Sequence, residues 1–436
     1  TNGFDRDHLF LEIMEHGIPQ EAKAMRTMLD LGDEFEISPV ATNDAHFAAE
    51  GDAHAHEAWL CNATKAKFSD PDRWKFHGEG YWLRSAAEMR AIFDDDERTQ
   101  TACDNTLLIA ERIAASGDIM TPSELRLPEF PVPSDYVPST SAQRKGLSGS
   151  AAYLNDQIRE GAIRRYGSPL PAEVRERLTY EFDVIYSMGL GDYFLIVQDL
   201  IAAARREGIR VGPGRGSAAG CAISYCLDIV NIDPIRYNLL FERFLNPERI
   251  GMPDIDIDFE SSGRDWAFGY LARRYGVERV ARIGSFGVAL SKGAIRAAAR
   301  VLSAPTIGDD LSAAVPTNKN GKPQTFAEFM DPQNPSGDEF RRRVAQSDDH
   351  QAVAELAESW EGGIDKEGVH ACGVIIGRDP LDGEVPLRDS KGFPVTQWDG
   401  KDLDALQFLK LDALALRNLD VVTAAERLIE QTTGER

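Results

Sequence analysis

The stretch MPDIDIDFE (Met252 to Glu260) alternates carboxylates with apolar side chains. Successive side chains of an extended strand point to opposite faces, so Asp254, Asp256 and Asp258 project from one face while Ile255, Ile257 and Phe259 enter a core. Same-face neighbours lie only about 7 Å apart along a strand, and a row of like charges is costly unless cations sit between them. Hard divalent ions take oxygen ligands, and two such ions roughly 4 Å apart stabilise attacking and leaving oxygens in phosphoryl or nucleotidyl transfer. A solvated edge-strand face is the bland alternative, disfavoured by the strongly apolar residues that alternate with the acids.

The rest of the chain sets the context. Its 436 residues, 42% hydrophobic, are enough for two or three domains with real cores. No run of eighteen apolar residues occurs, and the first residues have neither a basic nor an apolar signal region, so no membrane association is expected and a cytoplasmic location is the default. The five cysteines are scattered and form no CxxC pair, which reads as reduced, buried thiols. A net charge of −23 argues against indiscriminate nucleic-acid binding by the whole chain. Between Arg264 and Arg300, however, eight basic residues (Arg264, Arg273, Arg274, Arg279, Arg282, Lys292, Arg296 and Arg300) face only Asp265 and Glu278.

Periodicity predicts an α/β and α+β multidomain protein. Residues 1–118 read as mostly amphipathic helices, including DRDHLFLEIMEHGI (5–18), interrupted by a short run at Pro39. The proline-studded stretch 119–142 reads as a linker. Residues 143–262 alternate helical patterns with short strands at 209–211 and 254–259. From 262 to about 390 the pattern is largely helical, and 405–412 looks like one more buried strand.

VGPGRGSAAG (Val211 to Gly220) adds a second motif: a short strand, a glycine loop, then a helix whose first N–H groups favour a phosphate. It is not a Walker A loop. Gly214-x-Gly216-x-x-Ala219, with Asp233 about twenty residues on, loosely matches a dinucleotide fingerprint. A dinucleotide-binding oxidoreductase using the GRGSAA loop is therefore the rival reading. Against it, Asp233 lies in NIDPIRY, which does not make the second strand such an acid should end.

Four segments, VGPGRGSAAG, DPIRYNLLFERFLNPERIGMPDIDIDF (from Asp233), GVHACGVIIG (from Gly368) and FLKLDALALRNL (from Phe408), carry a resemblance in this order over nearly the whole chain. They resemble the C family of DNA polymerases, that of the bacterial replicative DNA polymerase III alpha subunits. The resemblance implies a DNA-directed DNA polymerase using two-metal nucleotidyl transfer from dNTP to a primer 3′-hydroxyl. It implies a palm like that of DNA polymerase beta, with a mixed sheet, at 143–262 and 391–418, a mainly helical thumb at 263–390, and the start of the fingers at 419–436. Asp256, Asp258 and Asp412 would hold two Mg2+ ions. Gly216 and Ser217 would cradle the triphosphate, with Arg215, Arg243 and Arg249 as phosphate contacts. Lys292 and Arg296, four apart on one helix face, would hold duplex phosphates.

Residues 1–118 resemble the C-terminal part of a polymerase and histidinol phosphatase (PHP) domain. There ATNDAHF supplies Asp44 and His46, which would bind Zn2+ or Mn2+ only together with ligands from segments preceding Thr1. His54-Ala-His56 is read instead as a solvated helix face. Implied partners are primer-template DNA, dNTP and, through family regions partly or wholly outside this chain, a sliding clamp, clamp loader and exonuclease. The resemblance also implies that this is a piece lacking most of the fingers, with weak or no polymerase activity alone. Ala413 and Ala415 replace the family's Phe and Gly after the third aspartate, and Ala297 replaces an acid.

Overall fold

The computed structural model describes residues 8–93, 96–117, 126–246 and 253–434. The chain divides into two compact units. One comprises Thr1–Ile119 with Gly287–Lys366, the other Met120–Phe286 with Glu367–Arg436.

In the first unit, β1 (Phe10–Ile13) pairs in parallel with β2 (Ser38–Ala41), and the helix Pro19–Phe35 connects them. Proline stands at the start of that helix, where its missing N–H costs nothing. The helix expected over 5–18 is therefore a strand in its described part. Gly17, at φ 74°, and Pro19 interrupt the pattern and leave a four-residue run, Phe-Leu-Glu-Ile, that takes its backbone partners from β2 instead. Ile13, Leu29, Ala41, Phe93, Ala102 and Cys103 close a small core there. A second, larger core joins the helix Ala53–Thr64 to the helices Ser291–Val301, Pro305–Ala314 and Asp348–Trp360 through Ala58, Cys61, Ile295, Leu311 and Trp360.

The second unit is built on a mixed six-stranded sheet of β3 (Asp256–Phe259), β4 (Val280–Val288), β5 (Ile364–Ile376), β6 (Leu387–Ser390), β7 (Phe393–Thr396) and β8 (Leu409–Ala415). Its strand order is β3-β8-β5-β4-β7-β6. β3 runs parallel to β8, β5 antiparallel to β8, and β4 parallel to β7. Ile255, Ile257 and Phe259 are all but fully buried, as their alternation requires, and pack among Tyr193, Phe194 and Leu411.

β4 to β6 lie where a largely helical pattern was expected. The exposed half of β5, from Ile364 to Ala371, has no apolar face, so alternation there is invisible until Val374-Ile-Ile enters the core. The expected thumb boundaries, 263–390, also differ from the compact units. Residues 263–286 and 367–390 cluster with the sheet. The helix Ser261–Tyr275 buries Ala267, Phe268 and Leu271 in the sheet's core, and β5 to β7 share its hydrogen bonds.

Two further expectations shrink. The strand at 209–211 is a single bridge from Val211 to Phe259, extended by Glu260 N–H donating to Arg210 O and Gly212 N–H donating to Asp258 O. The helix after the glycine loop is broken at Cys221 into a 3-10 turn, Gly216–Gly220, and a five-residue α-helix, Ala222–Cys226. Too short to be stable alone, that helix is anchored by Glu181 of the neighbouring helix Ala172–Ser187. The fully buried Glu181 carboxylate accepts from Ala222 N (3.0 Å) and Ile223 N (2.9 Å), from Cys221 Sγ, and from Arg177 Nε at 2.6 Å. Burial pushes its carboxyl upward, against the pull of those donors and of Arg177.

Four of the five cysteines are buried, and all five are free. Among the described residues no single helix is long and apolar enough to cross a membrane.

Glu181→Ala leaves two buried N–H groups and Arg177 Nε without their acceptor, while Arg177 Nη2 keeps the carbonyls of Gly220 and Leu239. The expected cost is about 3–5 kcal/mol, read as a lowered urea midpoint for the sheet-containing unit, whereas Glu181→Gln keeps one acceptor oxygen and falls between.

Candidate metal centre

Parallel pairing of β3 with β8 sets Asp256 directly opposite Asp412 and Asp258 opposite Leu414. On the far side of β8, antiparallel β5 sets Gly373 opposite Asp412. A Cβ at residue 373 would fall 2.7 Å from Ile283 Cδ1, so the sheet is closed tightly behind the third aspartate. Ligand oxygens of Asp254, Asp256 and Asp412 all lie within 4.8 Å of one another, the sole such group of three or more His, Cys, Asp or Glu among the described residues. Asp258 stands outside this trio. Its carboxylate, only 6% exposed, accepts from Arg215 Nε at 3.2 Å, and Arg215 Nη2 reaches Asp256 Oδ1 at 2.9 Å. The sequence thus led to Asp256, Asp258 and Asp412, and the tight cluster takes Asp254 where Asp258 was expected.

Electrostatics around the trio are unbalanced. Partial burial, and then the charges of Asp412 and Asp256, push the Asp254 carboxyl upward. Asp412 Oδ2 meets Lys410 Nζ at 3.1 Å, while its Oδ1 is buried with no hydrogen-bond partner. Burial alone would pull the Lys410 ammonium down, but Asp412 and Asp254 outweigh it and hold it above its ordinary value. An unpartnered buried carboxylate oxygen costs free energy that a bound cation recovers. Three convergent carboxylates with one such oxygen fit a hard divalent ion such as Mg2+.

The glycine loop packs directly on this strand. Gly212 donates to Asp258 O at 2.7 Å, and a Cβ there would fall 2.9 Å from Asp258 Cβ. Gly214 sits at φ 86° with Val230 Cγ1 2.6 Å from where its Cβ would be. Gly216 sits at φ 69° where a Cβ would fall 3.6 Å from Asp256 Oδ2, and Ser217 is exposed beside it at the start of the 3-10 turn. Gly216 therefore adjoins the Asp256 carboxylate, with Ser217 next to it in the chain.

A family described as Bacterial DNA polymerase III alpha NTPase domain matches residues 152–415. The chain belongs to the bacterial DNA polymerase III alpha family. A DNA polymerase III subunit alpha of Mycobacterium tuberculosis (strain ATCC 25618 / H37Rv) is 43% identical over 424 residues, covering 95% of this chain and 34% of that protein. The one of Thermus aquaticus is 36% identical over 471 residues, covering 98% and 38%, and the one of Caulobacter vibrioides (strain NA1000 / CB15N) is 36% identical over 434 residues, covering 98% and 36%. The chain thus spans about a third of the length of the curated relatives it matches.

The dinucleotide-binding alternative is not supported. Asp233 lies at no strand end: its Oδ1 accepts from Tyr166 Oη at 2.8 Å and from the N–H groups of Ile235 and Arg236, and so organises its own turn.

The other expected family residues fare unevenly. Arg243 is exposed in the short turn Phe241–Arg243, and Arg249 lies outside the described residues. The basic run 264–300 is divided between the two units. Much of it pairs internally, Arg282 with Asp265, Arg274 with Asp199, and Arg300 with Asn62. Lys292 and Arg296 do share the helix Ser291–Val301. Arg296 Nε bonds Ser312 Oγ at 3.2 Å, while Lys292 lines a cleft of about 900 Å3 with Lys65, Arg300 and Lys366.

In the first unit, His46 Nδ1 bonds Asp44 O at 2.7 Å, so the two residues are adjacent, and Asp44 is exposed. His54 and His56 part company on their helix, in keeping with their spacing. His54 is exposed against Phe68, whereas His56 turns into a cluster with His46, Phe47 and Phe76, so only His54 fits a solvated face. Burial, and then His46, lower the His56 pKa.

Sequence reasoning missed Lys410 and Tyr193. Lys410 had a signal, since it stands two residues before Asp412 on the same strand face. Tyr193 had none: its Oη accepts from Ile255 N at 2.9 Å across a contact between a helix and the strand. Gly214→Ala puts a side chain into a left-handed backbone and against Val230. It should lower stability by about 1–3 kcal/mol in a thermal melt, with Mn2+ affinity reduced in the same protein because the loop no longer seats on β3.

Proposed function

We propose that this chain carries the catalytic palm of a replicative DNA polymerase, transferring a nucleotidyl group from dNTP to a primer 3′-hydroxyl. The observation that carries the reading is the register of β3 on β8, with Asp256 opposite Asp412, an unpartnered Asp412 oxygen, and the glycine loop packed against Asp256 and Asp258. Asp254, Asp256 and Asp412 would hold one Mg2+ ion and Asp258 would complete the ligands of a second. When bound, the ions supply Lewis acidity for the 3′-hydroxyl and charge balance for the departing pyrophosphate. The protein's own part is placement. Buried Ile255, Ile257 and Phe259 fix the aspartates on a rigid strand, and preorganised charge of this kind needs no rearrangement when the reaction occurs.

Gly216 and Ser217 would cradle the triphosphate, with Arg215, Arg243 and Arg249 contacting phosphate oxygens. The helical insertion within Gly287–Lys366 would be the thumb, with Lys292 and Arg296 on duplex phosphates, and the sheet unit the palm. Residues 1–118 would be part of a PHP domain in which Asp44 and His46 contribute to a Zn2+ or Mn2+ site with ligands from elsewhere. Primer-template DNA and dNTP would be the substrates, and a sliding clamp, clamp loader and exonuclease the partners of the whole protein, in the cytoplasm.

Mn2+ binding by electron paramagnetic resonance and binding of a fluorescent dNTP test this reading. Asp256→Asn and Asp412→Asn should each abolish Mn2+ binding, and Ser217→Leu should weaken the nucleotide by about tenfold or more, equivalent to about 1.4 kcal/mol. Full Mn2+ binding in both asparagine variants would refute the assignment.

A further inference from the structure

Four carboxylates crowd the start of β3 and the middle of β8, and two protein cations touch them. Arg215 bridges Asp256 and Asp258 through Nη2 and Nε, and Lys410 holds Asp412. Four negative charges against two positive leave a deficit that one divalent ion balances. Two divalent ions would overfill the site unless a resident cation left or an anion arrived. The trio of Asp254, Asp256 and Asp412 is open for the first ion, since Lys410 takes a single Asp412 oxygen and leaves the other unpartnered. The pair Asp256 and Asp258 is closed by the guanidinium.

Building on the metal-dependent reading above, we infer that Arg215 is a resident counterion. It occupies the cation position shared by Asp256 and Asp258, and gives it up when the triphosphate of an incoming nucleotide takes the guanidinium.

The local structure suits such a transfer. Arg215 is 45% exposed, whereas Asp258 is 6% exposed and its strand is tied to the loop by the bond from Gly212 N to Asp258 O. Movement therefore falls on the arginine. A half-exposed ion pair is worth little in stability, so releasing it is cheap. Rotation about the side-chain bonds of Arg215 re-aims the guanidinium while the loop backbone stays seated on the strand. A guanidinium fork that fits two carboxylate oxygens fits phosphate oxygens equally well. The consequence is coupling: the nucleotide opens the second ion's position, and by reciprocity the second ion tightens the nucleotide.

The test counts Mn2+ bound to the 436-residue chain by electron paramagnetic resonance, with and without a non-hydrolysable α,β-imido dNTP. The expected result is one ion without the analogue and a second with it. Arg215→Gln should admit the second ion without the analogue, tightening it by about tenfold or more, and Arg215→Lys, which keeps the charge without the fork, should fall between. Circular dichroism confirms that the variants fold. An unchanged or smaller number of ions in Arg215→Gln, at unchanged or weaker affinity, overturns the inference. Asp412→Asn separates the two levels: if it leaves Mn2+ binding intact the metal site itself is misassigned, whereas its loss alongside an unaltered Arg215→Gln refutes the counterion alone.

Discussion

Like charges on adjacent strands are the constraint on which the second unit depends. Neighbouring strands lie about 5 Å apart, and two carboxylates at that distance repel by about 3 kcal/mol at an effective dielectric near 20. With Asp256 opposite Asp412, the sheet accepts this cost at its most buried edge. It can do so because the reverse face of the same strands is continuous apolar core, from Ile255 and Ile257 through Leu411 to Phe194. Burying side chains of that size contributes about 1.5–3 kcal/mol each, enough to hold the register against the repulsion. Arg215 and Lys410 then reduce the repulsion without removing it, and the unpartnered oxygen of Asp412 marks what is left for a bound cation.

Close approach is the second device. A glycine loop is often read as a flexible element, but here two of its glycines are needed because there is no room for a side chain. Asp258 stands against Gly212 and Val230 against Gly214. The loop is thus a rigid neighbour of the aspartate strand, and its proximity to the carboxylates is set by packing. Glu181 performs a comparable service behind it, collecting the N–H groups of a helix too short to stand alone.

Much of this was legible in the residues themselves. The alternation in MPDIDIDFE identified a strand with one acidic and one apolar face, and the long periodic helices from Ala151 to Arg206 read plainly because their buried faces repeat every three to four residues. Weak elements misled for stated reasons. Phe10–Ile13 is too short to show whether its period is two or four, and β5 carries charged, exposed residues through half its length. Arg296 and Lys292 were correctly placed on one helix, yet one of them is held by a neighbouring helix's serine, which no spacing could reveal.

Spacing along the chain is local, so the sequence by itself determined which face of the strand is acidic, where the glycines fall, and that the family's motifs occur in order. Which carboxylates meet is a property of register between strands more than 150 residues apart. Only the folded sheet sets Asp412 opposite Asp256, draws Asp254 into the cluster, and turns Asp258 to Arg215. The physical reason is that side-chain direction follows from two neighbouring backbone angles, whereas strand pairing follows from the packing of a core contributed by the whole unit.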